Sequence, residues 1–118
     1  MNKITPKGWG YEHTLVNNEK YCGKLLFFVK GHSCSFHYHL VKDETFYVSS
    51  GKITVKYTDI IPKEGEFIFD RAITLEAGDT FHVPPGRVHQ MTALEDTSLF
   101  EFSTTDYPED SYKIVRGD

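Results

Sequence analysis

The length of 118 residues is that of one compact domain. The chain has 39% hydrophobic side chains, with nine Phe and seven Tyr, and this content is too high for an intrinsically disordered protein. Its net charge of −4 excludes the basic surface that binds nucleic acid or an anionic membrane. No apolar run is long enough to span a bilayer, no secretory signal is recognisable at Met1, and two cysteines do not make a disulfide framework. We therefore expect a cytoplasmic protein with neither a nucleic-acid nor a membrane partner.

Short strands separated by turn residues account for almost the whole pattern. β-Branched and aromatic residues are concentrated in segments that Gly, Pro, Asn and Asp bound. In chain order we predict strands over 11–16, 21–30, 33–39, 45–50, 52–58, 66–76, 80–84, 88–93 and 98–104, with at most a short helix near 108–112. So many short, closely spaced strands predict a single all-β domain over residues 1–118, either a sandwich or a barrel.

Three histidines and one glutamate have the spacing of a metal site. His37 and His39 are two residues apart on a predicted strand, so both side chains face the same side of the sheet. The four residues before Glu44 allow a tight turn, after which an antiparallel strand brings the carboxylate back beside the imidazoles. His89 follows a rigid Pro-Pro-Gly turn on a distant strand. Imidazole and carboxylate donors suit Mn, Fe, Zn, Ni or Co, so we predict one divalent transition metal ion held by these four residues.

The same alternation predicts the residues that line the surrounding cavity. Phe46 shares the side of the sheet that Glu44 occupies, and Met91 shares the side of His89, so both are predicted to contact the substrate. Arg87, at the turn before His89, is a candidate anchor for a phosphate or carboxylate at the cavity mouth, although a solvated loop arginine is the simpler interpretation.

These residues resemble the cupin superfamily. The first cupin motif, G-x5-H-x-H-x4-E-x6-G, is matched by Gly31, His37, His39, Glu44 and Gly51. The second motif, G-x5-P-x-G-x2-H-x3-N, is matched by Gly78, Pro84, Gly86 and His89, with Ala93 in the position that Asn usually occupies. The resemblance implies a small double-stranded β-helix, a jelly-roll-like barrel with one metal ion inside it, and commonly a homodimer.

A narrower resemblance covers nearly the whole chain. The opening Lys7-Gly8-Trp9-Gly10-Tyr11 and the closing Glu109-Asp110-Ser111-Tyr112-Lys113-Ile114-Val115-Arg116 look like the ends of the cupin domain of type II mannose-6-phosphate isomerases. This resemblance implies a metal-dependent isomerase or epimerase whose small-molecule substrate is a sugar or sugar phosphate. Two other functions stay open, namely an Fe(II)- or Ni(II)-dependent dioxygenase and a non-enzymatic module that binds a sugar or another small ligand.

An isomerase also needs a general base, for which the candidates are Glu101, Lys24, His82 and Tyr47. Glu101 alternates with two phenylalanines, so either the carboxylate or the aromatic rings face the interior. Lys24 would have a lowered pKa if it were buried, but a lysine at a strand end more often extends into water. His82 could lie in the core or at the rim of the predicted barrel. Tyr47 falls on the strand face opposite Glu44, which counts against it.

Overall fold

Every regular element in the computed structural model, which describes residues 3–118, is a β-strand. In chain order the strands are β1 (Lys3–Lys7), β2 (Gly10–Asn17), β3 (Cys22–Phe28), β4 (Phe36–Tyr38), β5 (Glu44–Ser50), β6 (Lys52–Thr58), β7 (Arg71–Glu76), β8 (Thr80–Val83), β9 (Val88–Ala93), β10 (Thr97–Ser103) and β11 (Tyr112–Val115). No helix among the described residues is long and apolar enough to cross a membrane.

Two antiparallel sheets pack face to face. The first has the strand order β1-β2-β3-β10-β5-β8 and the second has the order β11-β4-β9-β6-β7. From β3 to β6 the chain changes sheet at every step, which is how a jelly roll winds two sheets around one interior. This arrangement confirms the predicted all-β, double-stranded β-helix fold.

Alternating side chains on the inner faces of the two sheets build the main core. On β3 the buried residues are Cys22, Lys24, Leu26 and Phe28, so charged and apolar side chains share one inner face. The apolar end of the interior is closed by a cluster that includes Phe28, Val48, Ile53, Val55 and Leu99. The polar end holds the charged side chains that are described below.

A second, smaller core lies on the outer face of the five-stranded sheet. Phe36, Val88 and Ile114 are buried there, and the ring of Phe67 contacts Phe36 edge-on at 4.9 Å between centroids. Phe67 belongs to the stretch 66–70, which was predicted as the first half of a strand. The prediction was wrong for this stretch, because its aromatic side chain caps the second core instead of joining a sheet, and β7 begins only at Arg71.

The structure differs from the predicted elements mainly at the two sheet edges. Strands β1 and β11 were not predicted, since edge strands bury few side chains and show little apolar alternation. The segment predicted as a strand over 33–39 is regular only over Phe36–Tyr38. The short helix near 108–112 is absent, because the chain makes a turn there in which the Asp110 N–H donates to the Tyr107 carbonyl at 2.9 Å.

Gly51 is expected to lose more stability on gaining a side chain than other glycines in turns do. It connects β5 and β6 with φ +93°, and a Cβ there would lie 2.3 Å from the carbonyl oxygen of Asp96. Gly78 has a similar φ of +95° but has open space around the same position, so it is a matched control. Gly78→Ala should cost about 1–2 kcal/mol for the left-handed backbone alone. Gly51→Ala should cost roughly 1–3 kcal/mol more through the clash with a neighbouring backbone. Urea unfolding would measure both variants, and equal losses would contradict this account.

Candidate metal centre

The three predicted imidazoles come together on the inner face of the five-stranded sheet. His37 lies on β4 directly opposite His89 on β9, and His39 follows immediately after β4. One ring nitrogen from each of the three residues lies within 4.8 Å of the other two. The pairing of β4 with β9 is therefore what brings a distant part of the chain to the His37-x-His39 segment.

The orientation of each imidazole is set by a hydrogen bond from its Nδ1 atom to a backbone carbonyl. His37 donates to Ser35 at 2.8 Å, His39 to Asp110 at 2.6 Å and His89 to Arg87 at 3.0 Å. A neutral imidazole that donates through Nδ1 has its lone pair on Nε2. Such hydrogen bonds are typical of metal-binding histidines, because they select the tautomer and restrain the ring.

The carboxylate of Glu44 completes this group from the other sheet. Its Oε2 atom lies 3.5 Å from His39 Nε2 and 3.7 Å from His89 Nε2. Atoms bound to one ion at about 2 Å lie roughly 3–4 Å apart, so these separations fit a shared ion. Among the described residues, Glu44 Oε2 is the one buried side-chain oxygen or nitrogen without a hydrogen-bond partner. A buried oxygen without a partner is costly, and a cation between these side chains would satisfy it.

Burial shifts the pKa values of these groups toward their neutral forms. Desolvation, followed by the nearby His39, lowers the pKa of His37 to about 4. Desolvation also lowers the pKa of His39 and, together with His37, that of His89. Desolvation and the neighbouring Glu101 carboxylate raise the pKa of Glu44 well above its ordinary value. At neutral pH the imidazoles therefore present unprotonated nitrogens, which metal binding requires.

A network of buried charges extends from Glu44 along the six-stranded sheet. The Nζ atom of Lys42 lies 2.5 Å from Glu101, 3.1 Å from Asp106 and 3.7 Å from Glu44. Asp106 also accepts from Lys24 at 3.0 Å. Lys42 and Asp106 were missed by the sequence analysis, although Lys42 lies two residues before Glu44.

Lys24 and Glu101 therefore both face the interior. The aromatic residues that alternate with Glu101 point outward, and Phe102 is 56% exposed. Lys24 is 6% exposed, so the interpretation of it as a lysine extending into water was wrong. The expected lowering of its pKa was also wrong: desolvation acts in that direction, but Glu101 and Glu12 outweigh it and the pKa of Lys24 is raised.

Asp110 organises the turn that joins the histidine segment to Glu44. Its carboxylate accepts hydrogen bonds from the backbone N–H groups of Leu40, Val41 and Lys42 at 2.8–3.2 Å. Desolvation opposes ionisation, but these donors hold the pKa of Asp110 below its usual value. Its backbone carbonyl also restrains His39, so Asp110 positions both the turn and one imidazole.

The imidazoles, Glu44 and the charged network line one cavity of about 830 Å³. This volume is within the range of small-molecule binding sites. Phe46 and Met91 line it as predicted, and Trp9 extends the apolar wall by stacking on Phe28 with 4.1 Å between ring centroids. Cys34 lies in the same wall, where desolvation raises the pKa of its thiol to about 11.

Three of the predicted site residues lie outside the cavity. His82 is an outward-facing residue of β8, and its Nε2 lies 2.7 Å from Asp43 on the surface, so it is separated from the residues that line the cavity. Tyr47 also faces outward, as alternation predicted. Arg87 precedes β9 in a turn where strand alternation does not apply. Its guanidinium binds Asp59 at 2.8 Å, and the residue does not line the cavity.

Comparisons with known proteins agree with the fold described above. Residues 24–102 match the sequence model of the cupin domain. No curated protein matches the chain in sequence. KdgF from Halomonas sp. superposes with a TM-score of 0.72 at 20% identity, over 91% of this chain and 89% of KdgF.

Two longer proteins contain a similar fold. The capsular polysaccharide assembling protein CapF from Staphylococcus aureus has a TM-score of 0.75 at 16% identity, over 98% of this chain and 32% of CapF. Oxalate decarboxylase from Bacillus subtilis has a TM-score of 0.76 at 18% identity, over 96% of this chain and 30% of the decarboxylase. The chain thus spans about a third of the length of these two proteins, and likeness at such identities establishes the fold alone.

Proposed function

This chain belongs to the cupin family, and from that premise we propose that it is a metal-dependent enzyme that isomerises or epimerises a sugar or sugar phosphate. The observation that supports the proposal most is the unpartnered, buried Oε2 of Glu44 facing the Nε2 atoms of His39 and His89. Together with His37, these residues would hold one divalent ion, and their donors suit Mn, Fe, Zn, Ni or Co.

The bound ion would supply positive charge that polarises a carbonyl oxygen of the substrate. The side chains of the protein must then move a proton between two neighbouring carbon atoms. This transfer needs a group beside the metal site that can accept the proton from one carbon and return it to the next. A buried carboxylate within the same cavity fits that requirement.

Glu101 is the carboxylate that we assign to this role. It lines the cavity, is 4% exposed, and lies on β10 opposite Phe46 of β5, two residues along that strand from Glu44. The ammonium of Lys42 at 2.5 Å restrains one of its oxygens. Lys24, the second candidate from the sequence, is engaged by Glu12 and Asp106 at 3.0 Å each, so we assign it to positioning the network.

The apolar wall of the cavity would hold the substrate carbons and exclude water. Phe46 and Met91 are 3% and 2% exposed and flank the metal-binding residues on β5 and β9. Excluding water strengthens the electrostatic interactions between charged side chains and a developing oxyanion. A cavity with one apolar wall and one charged wall suits a sugar, which has carbon faces as well as hydroxyl groups.

A screen for proton–deuterium exchange into sugars and sugar phosphates in D₂O, on protein of known metal content, tests this proposal. We expect exchange at a carbon next to the carbonyl, which ends when the metal is chelated and returns when it is restored. Glu101→Gln should lower the exchange rate by about 10²- to 10⁴-fold without loss of metal. Glu95→Gln, at an exposed position away from the cavity, is the control.

The other candidate functions have distinct outcomes in the same experiment. Oxygen uptake by Fe(II)- or Ni(II)-loaded protein would show that the function is that of a dioxygenase and not of an isomerase. Ligand binding without exchange, across the whole panel, would replace it with a binding function. Unchanged exchange in Glu101→Gln would overturn the assignment of the general base.

A further inference from the structure

The opening of the cavity lies between one edge strand of each sheet. The lining residues that are exposed include Lys3 and Lys7 on β1 and Lys113 on β11, with Arg116 just beyond it. Strand β1 is one edge of the six-stranded sheet, and β11 is one edge of the five-stranded sheet. The two strands that sequence patterns missed therefore provide most of the cationic side chains at this opening.

Alternation along β1 and the pairing of β11 with β4 place three of these cations on the cavity side. Lys3, Thr5 and Lys7 occupy every second position of β1, and all three line the cavity. Lys113 is the cross-strand partner of His37 in the β4–β11 pair, so it occupies the same face as the imidazole. A group bound at Lys113 would lie next to the proposed metal site.

The cations at the opening are poorly neutralised, in contrast to those in the interior. Lys24 and Lys42 are each within 3.1 Å of two carboxylates. Among residues 3–118, no carboxylate lies within ion-pair distance of Lys3, Lys113 or Arg116, and Lys7 has only Glu12 at 3.9 Å. The nearby Asp118 carboxylate is engaged by the Ser33 N–H at 2.7 Å and by His32 at 3.3 Å.

We propose that Lys113 and Arg116, with Lys3 and Lys7 across the opening, form a subsite for the anionic end of the substrate. The substrate is then a sugar derivative with a carboxylate or phosphate at the end remote from the carbons beside the imidazoles. This inference rests on the proposed function and narrows its substrate class to anions. Ammonium and guanidinium groups donate charge-assisted hydrogen bonds to both kinds of anion. Arg87, the candidate anchor named from the sequence, does not line the cavity, and in this proposal residues on β11 and β1 take that role.

Calorimetric titration of Zn(II)-loaded protein with D-galactose, D-galacturonate and D-galactose 6-phosphate tests the subsite without requiring turnover. We expect at least one of the two anions to bind about tenfold or more tightly than the neutral sugar. The more tightly bound anion identifies the preferred group as carboxylate or phosphate. Because the subsite is exposed, the preference should weaken as salt is raised from 0.05 to 0.5 M.

Charge reversal separates the subsite from the metal as the source of any preference. The double variant Lys113→Glu/Arg116→Glu should abolish the preference for the anion while retaining bound zinc and the affinity for galactose. Lys20→Glu, in an exposed turn outside the cavity, makes a charge reversal of the same sign and should retain the preference.

If the Lys113→Glu/Arg116→Glu variant still prefers the anion, the preference comes from the metal and the proposal is overturned. Equal binding of all three ligands to the wild-type protein, or no binding of either anion, also overturns it. These results would leave the proposed function untouched, because that function is tested by deuterium exchange and would stand if the enzyme acted on neutral sugars alone.

Discussion

His89→Ala is expected to release most of the bound metal and to lower the affinity for a divalent ion by on the order of 100-fold or more. Changing residues that only support metal ligands already costs about 10- to 100-fold, so loss of a ligand itself should cost at least as much. His89 is 1% exposed and its Nε2 faces Glu44 Oε2 at 3.7 Å, so no solvent group replaces it readily. Elemental analysis after dialysis and a competitive chelator titration would measure the loss.

Two further variants test whether the loss of metal is confined to the proposed ligands. Glu44→Gln keeps the shape of the side chain and removes the negative charge from the unpartnered oxygen, so it should also lose metal while the protein stays folded. His13→Ala removes a half-buried histidine of β2 that does not line the cavity and should retain full metal content. Equal metal content in all three variants would contradict the assignment of the site.

Lys42→Met is expected to destabilise the metal-free protein by about 3–5 kcal/mol, because it removes the cation from a buried cluster of carboxylates. The Lys42 side chain is 4% exposed, and its ammonium lies within 4 Å of Glu101, Asp106 and Glu44. Desolvation opposes its charge, yet Glu101 and Glu44 outweigh this and raise the pKa of Lys42, so the lysine is charged throughout the neutral range. Urea unfolding of the two proteins would measure the difference in the free energy of unfolding.

The matched control is Lys52→Met, which removes an exposed ion pair to Glu76 at 3.2 Å. Exposed pairs contribute little, so this variant should lose at most about 1 kcal/mol. The double variant Lys42→Met/Glu101→Gln should recover part of the loss, because it removes one of the carboxylates left without a cation. A loss at Lys42 no larger than that at Lys52, or no recovery in the double variant, would show that the network is not coupled.

The interior network also explains why only part of the catalytic assignment could be made from the sequence. Alternation of Glu101 with two phenylalanines indicates that the carboxylate and the rings face opposite sides, but both orientations satisfy that pattern. An inward carboxylate is stable because the ammonium of Lys42, from the turn that precedes the adjacent strand β5, lies 2.5 Å from it. Lys24 is inward for the same reason, since Glu12 on β2 and Asp106 meet its ammonium at 3.0 Å.

The amino-acid sequence alone determined the all-β class and the choice of His37, His39, Glu44 and His89 as candidate ligands, and its resemblance to the cupin superfamily implied the jelly-roll fold. The first two features follow from short-range rules: residues two apart share one face of a strand, and turn residues bound each strand. Tertiary structure decided which face of β3 and β10 is buried, because that depends on partner charges that are distant in the chain. It also decided the cavity opening, since the edge strands β1 and β11 are held by pairing to their neighbours and bury too little apolar surface to leave a pattern.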